Sequence, residues 1–174
     1  MSAAALTLEP TLRDHFRTAM RGVASSVFLV TTRGPEGDAG MTATSVCSLS
    51  LDPVSVLICV NRSAAFLKAL EASGRFALNI LSRDDEAIAR AFGNPAGRER
   101  RFALGDWYEL DGMPALRSSL STIICAVAAQ TDFGSHRIFV GQVSQVDNRD
   151  GRPELLYCQG AFRSLRPDSK HSLR

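Results

Sequence analysis

Apolar residues in this chain recur as short β-branched runs broken by glycine and proline, with three amphipathic stretches set between them. Residues 11–21 predict a helix: Leu12, Phe16, Ala19 and Met20 share one face, and Thr11 with Asp14 resembles a capping box. That helix is expected on the outside of a sheet. The run VFLVTT, residues 27–32, ends in Gly34-Pro35-Glu36-Gly37-Asp38 and leads to a second strand over 39–48, so the two predict a hairpin. A third strand over 54–60 follows the Asp52-Pro53 break, and Ser63 then caps a helix carrying Phe66, Leu67 and Leu70, which Gly74 ends. Residues 76–81 return as a strand. Ser82, three residues before Asp85, opens a helix with Ile88, Ala91 and Phe92 that Gly93-Asn94-Pro95 stops. The charge-, Gly- and Pro-rich stretch 97–117 is expected as a long functional loop anchored by Trp107, Tyr108 and Met113. Long strands are predicted over 122–130 and 137–146, with Gly134-Ser135 between them, and a short one over 155–158.

Strands outnumber helices and are spaced as hairpins, while the helices do not alternate strictly with them. The fold class expected is mainly β, an antiparallel barrel with peripheral helices. At 174 residues there is room for one core, so a single domain is expected over 1–174, with its core at about 11–166 and a polar tail over 167–174. The net charge of +2 comes from interspersed signs without a basic stripe, which excludes a nucleic-acid or anionic-membrane partner from the expectation. The longest apolar runs fall far short of the roughly 20 residues that span a bilayer. Residues 1–10 lack the features of a secretory signal, and a cytoplasmic location is expected. Cys47, Cys59, Cys125 and Cys158 form no CxxC pair and have no histidine at ligand spacing, so neither a disulfide frame nor a metal site is expected. Three of them lie in strand-like segments and read as small buried hydrophobes.

The segment least like ordinary core is GMTATSVCSLSLDP, residues 40–53, where Thr42, Thr44, Ser45 and Ser48 put four small hydroxyls within seven positions. The pyrimidine edge of a flavin ring carries donors and acceptors, and holding it flat takes backbone amides and short hydroxyls at strand spacing. A Thr-rich edge strand accounts for the same run. Asn61-Arg62-Ser63 leads into a helix carrying Lys68, and a helix N-terminus can take a phosphate with Arg62 or Lys68 as counter-charge. Ser63 as a plain cap explains it equally. His136 sits at a strand end beside Gly134, where it can meet a nicotinamide amide or a phosphate, or be a satisfied turn residue. His15 lies on the first helix and His171 in the tail. No G-x-G-x-x-G, P-loop, G-x-S-x-G or H-E-x-x-H spacing is present, so a nicotinamide cofactor would not rest on a Rossmann unit.

In their order along the chain these residues resemble the flavin reductase-like family, which has the FMN-binding split β-barrel and supplies the reductase of two-component flavin-dependent monooxygenases. The resemblance runs from Phe16-Arg17 and Ala19-Met20 through VFLVTT, the MTATS-x-x-SLSLDP block, FALNIL at 76–81, Ala91-Phe92 and Arg101-Phe102 to Cys125, Gly134-x-His136 and Leu155-Leu156-Tyr157. It implies a homodimeric antiparallel split barrel that binds FMN or FAD, takes hydride from NADH or NADPH, and passes reduced flavin to a partner monooxygenase or halogenase, by diffusion if no docking exists. By the same resemblance Thr42, Ala43, Thr44, Ser45, Ser48, Leu49 and Ser50 line the flavin, Asn61, Ser63 and Lys68 stand near its phosphate, and Phe102 is close to it. Ser135, His136 and Arg137 face the nicotinamide, with His136 orienting it. The family often carries aspartate where this chain has Ser135, and hydroxyls where it has Ala64-Ala65-Phe66. Two rival readings share related barrels: a protein that holds flavin or haem without turnover, and a pyridoxamine-phosphate-oxidase-like enzyme, whose multi-arginine phosphate clamp is not evident here.

Overall fold

The computed structural model describes residues 11–149 and 151–165; the tail predicted over 167–174 and His171 lie outside the described residues. Leu12–Arg21 forms α1, Ser25–Ser26 β1, Phe28–Gly34 β2, Gly37–Ala43 β3, Val46–Leu51 β4, Val54–Asn61 β5 and Phe66–Ser73 α2. Arg75–Ile80 follows as β6, Glu86–Gly93 as α3, Trp107–Leu110 as β7 and Met113–Leu116 as β8. Ser121–Phe133 and His136–Asn148 make the long hairpin β9 and β10, and Leu156–Cys158 and Ala161–Arg163 are β11 and β12.

Seven strands pair antiparallel in the order β3-β2-β6-β9-β10-β5-β4. The two outer strands, β3 and β4, are consecutive in the chain and joined only by Thr44 and Ser45, yet they do not pair with each other. The path from Ala43 to Val46 spans at most about 11 Å, so the sheet has to curl until its edges adjoin. An antiparallel barrel with one open seam results. The strand predicted over 39–48 is therefore two strands, because Thr44 leaves the ladder at that seam.

Val30, Ile58, Phe76, Leu78 and Phe139 are fully buried along the inner face, each such side chain contributing about 1.5–3 kcal/mol through its removal from water, while Leu29 packs on the other face of β2 with Leu81, Phe92 and Leu116. Gly141 admits Phe76 into that core, since a Cβ there would run into the ring. On the opposite face of β6, under β8, lies a buried amide. Asn79 on β6 donates to Leu29 O at 3.1 Å and Thr31 Oγ1 at 3.2 Å, and its Oδ1 accepts from Leu116 N at 2.9 Å and Thr122 Oγ1 at 3.0 Å. One side chain thereby ties β6 to β2, β8 and β9, with all four of its hydrogen-bonding positions filled.

The capping box predicted at Thr11 and Asp14 is present, Thr11 N donating to the carboxylate at 3.0 Å and Asp14 N to Thr11 Oγ1 at 3.3 Å. Three expectations change. The stretch 97–117 is not a loop: it holds a 3-10 turn over Arg98–Ala103 and the hairpin β7–β8, whose Asp111-Gly112 turn has both residues at positive φ, as a two-residue type I′ turn requires. Among the described residues α1 buries none of its side chains, with Leu12 85% and Phe16 63% exposed, so its apolar stripe does not lie on this chain's own sheet. Only Cys125 is a fully buried thiol, because Cys47 projects from an edge strand and Cys59 and Cys158 are half-buried.

Replacing Asn79 with Ala strands Leu116 N–H without its partner and removes the side-chain bonds to Thr31 and Thr122, and should lower stability by about 3 kcal/mol. Urea unfolding should show a lower midpoint at unchanged slope. Burial pushes the Cys125 thiol up to about 12. Iodoacetamide at pH 8 should therefore label Cys47 in the native protein and leave Cys125 intact until it unfolds, as peptide mass spectrometry would read directly.

Candidate active site

A cavity of about 540 Å³ opens where β3, the turn after β5 and the 3-10 turn Arg98–Ala103 converge, within the range usual for small-molecule sites. Thr42, Asn61, Ser63 and Phe102, all expected around a cofactor, line it. The turn after β5 is built on Asn61, whose Oδ1 accepts from Ser63 N at 2.9 Å and Ser63 Oγ at 2.8 Å. α2 then starts at Phe66 with Ala65 at the N-cap and no side-chain cap, so Ser63 is a turn residue and not the cap that the spacing predicted. Ala64, Ala65 and Phe66 of that helix start also reach the cavity, whereas Lys68 is exposed and does not line it.

The hydroxyl-rich run is divided by the seam. Thr42 donates its hydroxyl to Ala89 O at 2.7 Å, tying β3 to α3, and Ala43 turns into the core. Thr44 and Ser45 face a second cavity of about 790 Å³, bounded on its far side by Phe16, Arg17 and Met20 of α1. Among the described residues the backbone N–H groups of Thr44 and Ser45 meet no backbone acceptor, while Ser45 O accepts from Cys59 N at 3.0 Å. The seam thus offers donors between two cavities. Ser48, Leu49 and Ser50 lie further along β4 and line neither, and Ser50 Oγ is taken up by Asp52 O at 2.9 Å.

Register sets His136 beside the turn after β5, although none of Ser135, His136 and Arg137 lines either cavity. His136 pairs with Asn61 across β10 and β5, and Arg62 N donates to Ser135 O at 2.9 Å, so the β9–β10 tip sits beside the cavity's Asn61 turn. The exposed His136 ring has Nδ1 2.9 Å from Ser135 Oγ. Arg137, one residue on, belongs to the opposite face of the strand. Its guanidinium is held by Asp132 at 2.5 Å and by Glu71 of α2, and that hydrogen bond from Arg137 keeps the Asp132 carboxyl below the usual carboxylate range. The geometry therefore groups His136 with Ser135 and Asn61 and sets Arg137 apart, as a clamp of the hairpin tip.

Phe102 is fixed by an aromatic cluster, its centroid 5.1 Å from Phe92 and 4.8 Å from Trp107. The same turn presents Arg98 and Arg101 to the cavity. Neither was among the site residues expected from sequence, although the basic run Arg98, Arg100, Arg101 directly before Phe102 was the visible signal.

The family described as flavin reductase like domain matches residues 20–166. The chain belongs to this family. Among curated relatives it is 38% identical over 151 residues to an FMN reductase (NADH) of Methylorubrum extorquens, covering 86% of this chain and 75% of that one. It is 34% identical over 161 residues to the 4-hydroxyphenylacetate 3-monooxygenase reductase component of Pseudomonas aeruginosa, covering 91% and 94%. Among solved structures, the NADH:FAD oxidoreductase of Streptomyces globisporus, determined with NAD and FAD fragments, superposes with a TM-score of 0.85 at 31% identity, over 95% of this chain and 100% of that one. The flavin reductase family thus accounts for the open barrel, and among the described residues no helix is long and apolar enough to cross a membrane.

Replacing Arg137 with Ala frees Glu71, leaves Asp132 with Arg62 at 3.7 Å, and should loosen the hairpin tip. Hydrogen exchange in peptides covering 131–138 should rise at least several-fold while peptides from β6 keep their protection.

Proposed function

We propose that this flavin reductase uses NADH to reduce FMN or FAD at the cavity beside the seam and releases the reduced flavin to a separate monooxygenase or halogenase. The observation that carries this reading is the cavity lined by Thr42, Asn61, Ser63 and Phe102, with His136 paired to its Asn61 across the ladder. NADH as donor is supported by the relatives, which are named as NADH-dependent reductases of FMN and of FAD. When bound, the flavin supplies the two-electron acceptor chemistry that no side chain provides.

The protein's part is positioning. The unpaired N–H groups at Thr44 and Ser45 are suited to hold the polar edge of the ring, where negative charge grows during reduction, and fixed backbone donors need no rearrangement to meet it. The start of α2, which no side chain caps although Leu67 N donates to Ala64 O at 3.0 Å, suits the phosphate end. His136 orients the nicotinamide through its ring nitrogens, helped by Ser135. Small residues at Gly40 and Gly93 keep the cavity wall thin.

A homodimer completes the reading. A ten-residue helix is marginal in water without tertiary packing, and α1 shows its whole apolar stripe to solvent. The outward side of β5 and β10 carries a second half-buried apolar set, Leu57 and Cys59 beside Val140 and Ile138. A second copy covering these surfaces would also wall in the cavity at Thr44 and Ser45.

NADH oxidation should be negligible without added flavin and should follow FMN or FAD concentration in the steady state. His136→Ala should raise the KM for NADH about tenfold, as loss of one charge-assisted or well-aligned hydrogen bond does, with flavin affinity unchanged. An unchanged KM would remove His136 from the nicotinamide side.

A further inference from the structure

The Arg101 side chain is buried, with the residue 8% exposed, and it makes no ion pair among the described residues. Its Nη1 donates to Gly40 O at 3.4 Å and its Nη2 to Asn94 O, at the carbonyl end of α3, while Nε has no partner among the described residues. Two carbonyls and a helix C-terminus offset part of the charge, but a guanidinium removed from water ordinarily meets a carboxylate or a phosphate. Arg98 opens onto the same cavity, and burial together with the Arg98 charge holds Arg101 below its ordinary basicity. The acid on that wall, Asp38, is already spent on Arg33 at 2.7 Å. Across the cavity, the Asn61 carbonyl and the Ser63 hydroxyl satisfy each other. Glu99 of the same turn opposes this charge only through space and makes no ion pair with Arg101 among the described residues.

We propose that Arg98 and Arg101 form a phosphoryl-recognition site facing the start of α2, so that the phosphate of a bound nucleotide is gripped between the two arginines and the helix amides. This rests on the reading of the cavity as the flavin site and adds to it the residues that separate phosphorylated from unphosphorylated ligands. The turn is built to hold its shape: Gly97 begins it at φ +68, the Arg101 guanidinium lies 5.7 Å from the Phe92 centroid, and Phe102 is locked against Trp107. Either the flavin or the pyridine nucleotide could bring the phosphoryl group, and both share its chemistry.

Trp107 is the single tryptophan of the chain and sits against this turn, so its fluorescence reports ligands that absorb its emission, as flavins and NADH do. Titrations of the full-length protein with riboflavin, FMN, FAD and NADH would be compared with those of Arg98→Gln, Arg101→Lys and Arg101→Gln. Arg98→Gln, an exposed side chain whose loss leaves the fold intact, should weaken a phosphorylated ligand about tenfold, the scale of one charge-assisted hydrogen bond, and leave riboflavin within about twofold. Arg101→Gln should weaken it further, and Arg101→Lys should restore part of the loss. A loss for FMN and FAD assigns the phosphoryl group to flavin, and a loss confined to NADH assigns it to the dinucleotide. Equal losses for riboflavin and FMN, or no loss for any phosphorylated ligand, would overturn the site. Wild-type protein that binds FMN more tightly than riboflavin but oxidises no NADH would instead refute the reductase reading and leave the phosphoryl site standing.

Discussion

The four hydrogen bonds of the buried Asn79 amide are the constraint on which the arrangement of the molecule rests. β6 is the strand from which both halves of the sheet extend: β2 and β3 on one side, β9, β10, β5 and β4 on the other. The amide reaches into both halves and into β8 at once, so it fixes how the flanking strands stand relative to one another. Thr122 and Ser119 continue the network at 3.2 Å, and Arg149 joins it through Ser119 at 3.0 Å. A polar core of this kind is stabilising only when complete, and here the central amide is complete. The curl imposed by the two-residue link brings the sheet's two ends together at Thr44, where the two cavities lie on either side.

Much of this was legible in the sequence, and the reasons for success and failure are physical. The β-branched runs, the helix stops at Gly74 and Gly93, and the Thr11 box are local signals, and each element appears close to where it was expected. The hydroxyl run lies where Thr42 lines one cavity and Thr44 and Ser45 the other. What could not be read was that the run straddles a seam, because a break in pairing depends on which strands lie at the sheet's ends, a long-range property. The hairpin over 107–116 was missed for a different reason: its Asp111-Gly112 signal was present but submerged in a charged stretch taken as loop. That Arg137 faces away from His136 follows from period-two alternation once His136 is counted within the strand, as its first residue.

The site divides labour among elements of different rigidity. Strand backbone at the seam supplies donors, a short helix supplies dipole, and a 3-10 turn supplies charge. The turn lacks the ladder hydrogen bonds that hold a strand, and aromatic packing replaces them: Phe92, Phe102 and Trp107 lie within 5.8 Å of one another centroid to centroid. Offset and edge-to-face contacts of this kind constrain orientation as well as distance. The charged groups are therefore carried on a platform whose geometry is set by apolar contacts that salt does not screen.

β4 pairs on one side only, so its other edge presents free backbone groups of the kind that recruit strands from neighbouring molecules. Its ladder with β5 slips between Ser48 and Ser50, a bulge that interrupts the regular spacing of those groups. A foreign strand approaching there finds no long stretch in phase with its own. The irregularity that keeps the hydroxyl-rich edge out of register with an invader thereby guards a barrel that has left itself open against fibrous self-association.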